Sequence, residues 1–434
     1  MALNKKTFFY ASVLPFAVAS AANAQATNAE VLNEIRALKD RITQLETQLA
    51  TERSAPKTAT VNDDIKVSLN PGLSVETADG GTSFSVDGRV AVDAGSVIDD
   101  GNADLANATD LRYLWAGFKG TIDHDWQYRL LVGLENDATS VKDAYVAYNG
   151  FNNLTLRAGH FKEYNGIENM SSNLYTTFLE RSSSITTYRD LRNIGFGIEP
   201  YGDNWGVQLG YFGEGASDNG PDDEGYSLTG RAHIAAINEA EETLHLGGAV
   251  RYRDPQGTAR FRSRGESHVI GERLVDTGVI NDVDNFTTYA AEAYYRHGPL
   301  ALQAEYNITD LDSNTANDPS FDGGYVTLSY FLTGEQRSYK AKNGTIGRVK
   351  PFSVFSLENG GLGAWEVAGR YNFVDLNDEN ITGGELDSYT AGLNWYPNSR
   401  VKFMLNYVYN DLDNNAAFAD ADPQYIMLRS QLDF

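Results

Sequence analysis

The chain has no cysteine in its 434 residues, which excludes disulfides, thiol chemistry and Cys-ligated zinc. Basic residues are scarce: 35 Lys and Arg stand against 59 Asp and Glu, a formal charge of -24. That balance argues against a nucleic-acid binder, which needs clustered Lys and Arg to neutralise phosphates. Long apolar runs are missing too. Beyond the N-terminus none reaches the ~18 residues of a membrane helix. Such a chain is either soluble or crosses a membrane as a closed barrel, since only helices and closed barrels satisfy their backbone groups in lipid. No catalytic set is visible. The six His are scattered, without an HExxH pair or a GxSxG turn. Asp and Asn clusters at 99–110, 377–380 and 410–422 lack the spacing of a calcium loop and read as solvated loops. The expectation is a protein that is not an enzyme, with no cofactor and no metal.

What is abundant is aromatic or small: 25 Tyr, 20 Phe and 41 Gly, a composition that suits a β-rich chain. The first residues suggest export. Lys5 and Lys6 form a basic start, Thr7 to Ser20 an apolar stretch, and Ala22-Asn23-Ala24 a small-x-small cleavage site, so 1–24 reads as a signal peptide. Residues 25–52 read as a periplasmic helix. Within it Val31, Ile35, Leu38, Ile42, Leu45 and Leu49 follow a 4-3-4-3-4 spacing, a short coiled-coil seam or the face of an ordinary amphipathic helix. Residues 53–64, with Pro56, read as a linker.

Over 65–434 the pattern changes to short alternating stretches separated by Gly, Asn and Asp. Sixteen candidate strands follow one another: 84–96, 110–122, 126–136, 141–149, 154–163, 193–201, 205–213, 226–237, 244–253, 285–297, 300–311, 323–334, 365–376, 387–396, 401–412 and 425–434. An even number of strands near ten residues each is what a bacterial outer-membrane barrel requires. In 401–412, Val401, Phe403, Leu405, Tyr407 and Tyr409 share one side, and Lys402, Asn406 and Asn410 the other. A polar lumen inside an apolar, aromatic-girdled wall explains this pattern better than a soluble sandwich does. The fold expected is all-β, a 16-stranded antiparallel transmembrane β-barrel behind a short helical coiled coil. Long connections alternate with tight turns, except at 335–364. That segment, 164–192 and 254–284 are long enough to fold into the lumen. The last strand ends on an aromatic, Phe434, which resembles the signal read by the outer-membrane insertion machinery.

A pore's chemistry lies in its lining. Arg251, Arg253, Arg260, Arg262, Arg264 and Arg273 cluster near the end of one strand and in the connection after it. Arg260, Arg262 and Arg264 take every second position, so an extended backbone puts three guanidiniums on one face. They either form an anion-attracting ladder or pair with Asp254, Glu266, Glu272 and Asp276. Arg89, Arg157 and Arg370 lie on polar strand faces, while Arg112 alternates less cleanly because Leu114 shares its side. Arg181, Arg189 and Arg192 lie beside Glu180 and Asp190, where salt-bridged scaffolding is an equal reading.

Several strings together carry a family resemblance. They include Ser83-Phe84-Ser85 with Gly88-Arg89, Asp125-Trp126, Tyr148-Asn149-Gly150-Phe151 and Gly166-Ile167-Glu168. Leu179-Glu180-Arg181, Leu332-Thr333-Gly334-Glu335, Gly363-Ala364-Trp365-Glu366, Leu393-Asn394-Trp395-Tyr396, Asn406-Tyr407-Val408 and the terminal Phe434 follow in order. The chain resembles the phosphate-selective porins of O and P type. The resemblance implies a sixteen-stranded homotrimer in the outer membrane, touching its lipids and lipopolysaccharide. It implies an arginine ladder at Arg260, Arg262 and Arg264, with Arg89 and Arg181 as further rungs. Arg112 matches one arginine of a central oxyanion pair, and Asp143 the acidic residue near it. The chain departs from the family where the second arginine is Tyr113, a ladder arginine is His268, and expected lysines are Gln127, Asn169 and Leu174. The function expected is passive diffusion of small hydrophilic solutes with a preference for anions, phosphate or another oxyanion among them. The alternatives are a general or differently selective porin, or an envelope tether acting through the coiled coil.

Overall fold

The computed structural model describes residues 58–434 except 63–64, 70–71, 102, 136–137, 189–191, 218–222, 416–417 and 419–420, together with residues 37, 39 and 41. The chain divides into two compact units, Met1–Pro56 and Lys57–Phe434. The expected signal peptide, the expected helix apart from Ala37, Lys39 and Arg41, and with it all six seam residues lie outside the described residues.

The second unit contains the sixteen barrel strands: β1 (Ser83–Asp99), β2 (Ala108–Ile122), β3 (Trp126–Gly133), β4 (Ser140–Phe151), β5 (Leu154–Phe161), β6 (Asn193–Pro200), β7 (Trp205–Phe212), β8 (Tyr226–Asn238), β9 (Glu242–Asp254), β10 (Ile280–His297), β11 (Leu300–Ser313), β12 (Ser320–Phe331), β13 (Ala364–Asp378), β14 (Ile381–Tyr396), β15 (Val401–Asp413) and β16 (Gln424–Asp433). Each pairs antiparallel with the next, and β16 returns to β1 through pairs such as Leu432↔Val90 and Asp433↔Arg89. Every expected strand therefore has its counterpart, and no edge is left open. Phe434 and Gly88 exchange two backbone hydrogen bonds of 3.1 Å across the seam. The Phe434 ring lies on Gly88, where a Cβ would come within 2.4 Å of it, so any larger residue there would have to push the ring aside. Short strands Thr58–Asn62, Ile65–Ser68 and Ser74–Thr77 add a meander to the start of β1.

The wall is inverted relative to a soluble protein. In β15, Lys402, Met404, Asn406, Val408 and Asn410 are buried while Phe403, Leu405 and Tyr407 are exposed. Inward charges include Asp93, Arg231, Glu292, Arg370 and Arg429. Aromatic pairs ring both ends of the barrel: Trp126–Tyr148, Trp365–Trp395 and Trp395–Phe403 at the short-turn end, Tyr211–Tyr226, Tyr371–Tyr389 and Tyr389–Tyr409 at the other. This is the banding a bilayer selects. Tight turns have their own chemistry. Asp123 and His124 between β2 and β3 both have positive φ (49° and 67°), as primed hairpin turns require. Asn398 accepts the Arg400 and Val401 amides at 2.8 and 3.0 Å before β15.

A barrel of this strand number leaves a wide lumen unless something enters it. Three segments do: 162–192 (the crossing segment), 255–279 (the mouth segment) and 332–363 (the rear segment). The crossing segment carries two short helices, α1 (Ile167–Met170) and α2 (Ser183–Tyr188). Its backbone is satisfied by side chains of the wall and of the rear segment. Lys402 donates to the Thr176 carbonyl at 2.6 Å, Asn394 to Thr177 at 2.7 Å and Arg370 to Glu180 at 3.3 Å, while Arg337 reaches Tyr175 and Arg429 reaches Leu179. Irregular chain is stable inside the lumen only because these donors take up its carbonyls. The mouth segment packs Ala259, Phe261, Leu274 and Val275 into an apolar cluster with Tyr188 and inward residues of β10–β15. Arg231 of β8 pairs with Glu292 of β10 at 2.7 Å, both side chains fully buried, and donates to the Asn343 and Gly344 carbonyls, holding the rear segment.

Candidate functional site

The pore wall is basic on one side. A cavity of about 390 Å3 lies between the β1–β7 wall and the crossing and rear segments. Seven basic residues line it (Arg89, Arg129, Arg157, Lys162, Arg181, Arg192 and Lys340) against two carboxylates, Asp143 and Glu199, counted among the described residues. The carboxylates are spent on neighbours. Asp143 pairs with Arg192 at 2.8 Å and Arg129 at 3.3 Å. Glu199 takes Arg157 at 2.8 and 3.3 Å and the Tyr164 hydroxyl at 2.7 Å. Arg129 also reaches Asp87 at 2.5 Å.

Arg89 and Arg181 are held by neutral groups and keep their net charge. Arg89 donates to the Asn173 side chain and lies 4.5 Å from the centre of the Trp115 ring. Arg181 donates to the carbonyls of Glu168 (2.9 Å) and Ser171 (2.8 Å). Burial pushes the Arg181 guanidinium below its usual range, the opposite of what a carboxylate partner would do. Arg157, already paired with Glu199, also lies 4.4 Å from the Tyr145 ring centre. An aromatic face and neutral oxygens thus fix the Arg89 and Arg181 guanidiniums without neutralising them.

The expected residues fall into three groups. Arg89, Arg181 and Asp143 meet in the cavity. Arg112 does not line it. The β1–β2 register shifts between Ala91 and Asp93, which places an extra residue on β2. That bulge explains the irregular alternation: Arg112 points inward like Tyr113, with its guanidinium 4.5 Å from the Tyr113 ring centre. There it makes a two-pronged pair with Glu180, at 2.7 and 2.8 Å. Arg260, Arg262 and Arg264 form the third group, on the mouth segment. Ala259, Phe261 and Ser263 are buried between them, so the alternation holds. Arg260 pairs with Asp276 through both prongs, 2.7 and 2.6 Å, while Arg264 donates to the Gly271 carbonyl at 2.8 Å. Arg273 joins this group. Burial, then Arg264 and Arg262, push it down to about 10.

Arg129, Lys162 and Lys340 were not singled out from the sequence. Arg129 had a readable signal, since Gln127, Arg129 and Leu131 oppose Trp126, Tyr128 and Leu130. Lys340 had none, because the rear segment's path depends on its contacts. Among the described residues no cluster of side chains has the makings of a metal site.

A closed, inside-out barrel with a narrowed, charged lumen is an outer-membrane porin, a channel for small solutes. Residues 84–434 match the family described as phosphate-selective porin O and P, and the chain belongs to that family. It is 30% identical over 410 residues to Porin O of Pseudomonas aeruginosa, covering 83% of this chain and 90% of that one. The fold is shared with an anion-selective porin from Comamonas acidovorans (14% identity, TM-score 0.52, covering 81% of this chain and 100% of that one). It is shared too with the trimer form of OmpT from Vibrio cholerae (12% identity, TM-score 0.51, covering 82% and 100%).

Proposed function

We propose that this porin passes small hydrophilic solutes with a preference for anions, and that phosphate is one passenger among several, not a dedicated ligand. The excess of basic side chains around the cavity carries the reading. Arg89 and Arg181 would contact a passing anion, with Asp143 holding its arginine neighbours in place. Arg260, Arg262 and Arg264 would raise the local anion concentration at the mouth, and Arg112 would stand between the two regions. Dedicated binding of an oxyanion calls for an open guanidinium fork. The forks of Arg112, Arg157 and Arg260 already hold carboxylates, which favours general passage.

The working form would be a homotrimer in the outer membrane, in contact with lipid and lipopolysaccharide, and inserted through recognition of its Phe434 end. The test is planar-bilayer recording of the purified protein in a potassium chloride gradient, with phosphate titrated in. A reversal potential on the chloride side with only weak phosphate block is expected. A potassium-side potential would overturn the anion preference, and strong block at micromolar phosphate would overturn the general passage.

A further inference from the structure

Glu180 occupies an unusual place in the lumen. It lies on the crossing segment, immediately before Arg181, and its side chain is 12% exposed. One oxygen accepts from Arg112 Nε at 2.7 Å, the other from Arg112 Nη2 at 2.8 Å. The first also accepts from Arg429 Nη2 at 2.8 Å. Arg429 in turn holds Asp93 at 2.7 and 2.6 Å. His268 of the mouth segment reaches Asp110, two residues before Arg112, with Nδ1 at 2.9 Å, and the charges of Arg112 and Arg262 act on Arg264, so the mouth arginines run down to this point. Past it the chain turns into the cavity through Arg181.

The geometry between Arg112 and Glu180 is the one a guanidinium adopts toward any oxyanion: two parallel N–H···O bonds in one plane. A mobile phosphate or sulfate reaching Arg112 meets a fork already filled. The occupant is tethered, so it rebinds at an effective concentration on the order of millimolar. Its side chain is also held by a second arginine.

We infer that Glu180 is a specificity-determining residue of this pore: its carboxylate is a built-in competitor for the Arg112 fork, so permeating oxyanions are passed on instead of being held. The inference rests on the anion-preferring reading above and adds to it the residue that keeps the preference weak. Arg112 touches the permeating ion in this account, and Glu180 acts by denying it the fork.

The decisive variant is Glu180→Gln, which keeps the size, removes the charge and leaves one accepting oxygen in place of two, so that the two-pronged hold on Arg112 is lost. It should move the chloride-over-potassium permeability ratio up by about three- to five-fold, the factor expected of one unit charge a few ångströms from the path in a water-like medium. Phosphate should then block chloride current at concentrations that leave the parent protein unaffected. The double variant Arg112→Gln/Glu180→Gln should lose that block. Unchanged permeability ratio and phosphate response in folded, heat-resistant Glu180→Gln oligomers would overturn the inference, as would block that persists in the double variant. Should Glu180→Gln not assemble, Arg112→Gln alone decides. Glu180 would then be less neutralised and the ratio should fall, and an unchanged ratio sinks the idea. A parent protein that prefers potassium would refute the anion reading alone, because the inference concerns the shift between parent and variant.

Discussion

The mouth segment and the cavity present the same side chain, arginine, in opposite ways. At the mouth, Arg260 and Arg262 stand exposed on an extended backbone whose other face is anchored by Ala259 and Phe261. Display there costs little, and the charges act at a distance through a field that salt screens within roughly 8–10 Å at physiological strength. In the cavity Arg89 is 3% exposed, and Arg157 and Arg192 are held against carboxylates. A charge taken that far from water persists only with a partner, and an ion must come into contact with it to feel it. One region gathers ions and the other sorts them, and the two depend on different chemistry.

The largest expected effect comes from cutting the tie that holds both regions. Arg370 of β13 donates to Glu266 of the mouth segment at 2.5 and 3.0 Å and to Glu168 of the crossing segment at 3.5 Å. Its side chain and that of Glu266 are each 1% exposed. Arg370→Ala leaves two carboxylates without this cation, a loss of about 3–5 kcal/mol for a buried pair. Oligomers of this variant should dissociate at lower temperature, and their single-channel current should be larger and noisier as both segments come loose. Normal heat resistance and quiet channels would mean the two regions are held independently.

The next effect separates the regions. Arg89→Gln with Arg181→Gln removes two cavity cations that lack carboxylate partners among the described ion pairs. The chloride-over-potassium ratio should fall several-fold, at 0.1 M and 1 M salt alike. Replacing Arg260, Arg262 and Arg264 together by Ala should lower the ratio less, and mainly in dilute salt, because the screening length shrinks to ~3 Å at 1 M. Reversal potentials at both salt concentrations check this. Equal salt dependence in the two variants would erase the distinction, and an unchanged ratio in the triple variant would remove the mouth arginines from ion selection altogether.

The wall was legible in the sequence because its signal is local. A strand half in lipid and half in water must alternate, so all sixteen strands could be counted, with ends a few residues off where ladders run beyond the bilayer band. The three segments in the lumen were legible from length alone. Contacts inside the lumen were not. The bulge opposite Val92 that turns Arg112 inward leaves no mark in the alternation except an irregularity. Arg112 and Glu180 are 68 positions apart, and nothing in either neighbourhood names the other. The Arg260–Asp276 pair exists because Arg262 and Ser263 form a small ladder with Asp276 and Val275, a register fixed by the apolar cluster beneath. Arg181 bonds to carbonyls, which every residue carries and no sequence pattern can announce.

The smallest effect is a pH response at the junction of the two regions. His268 of the mouth segment lies with Nδ1 2.9 Å from the Asp110 carboxylate. Burial, together with Arg112 and Arg264, pushes its pKa below the usual value, and Glu180 and Asp110 offset this in part. The depressed pKa means His268 is neutral at pH 7 and gains its proton only below about 6.5, the ordinary histidine value. Protonation adds a positive charge where the mouth arginines meet Glu180. Glu180 does not titrate alongside: burial raises its pKa, but the charge and hydrogen bonds of Arg112, then Arg429, outweigh that and hold it below the carboxylate range. Chloride preference should therefore rise slightly, by less than about two-fold, as pH falls from about 7 to 5, half of a unit charge's effect in screened solvent or less. His268→Gln should flatten the profile without moving its neutral-pH level. Reversal potentials across that range decide it: a preference that falls on acidification, or a rise that survives in His268→Gln, would place the titrating group elsewhere in the pore.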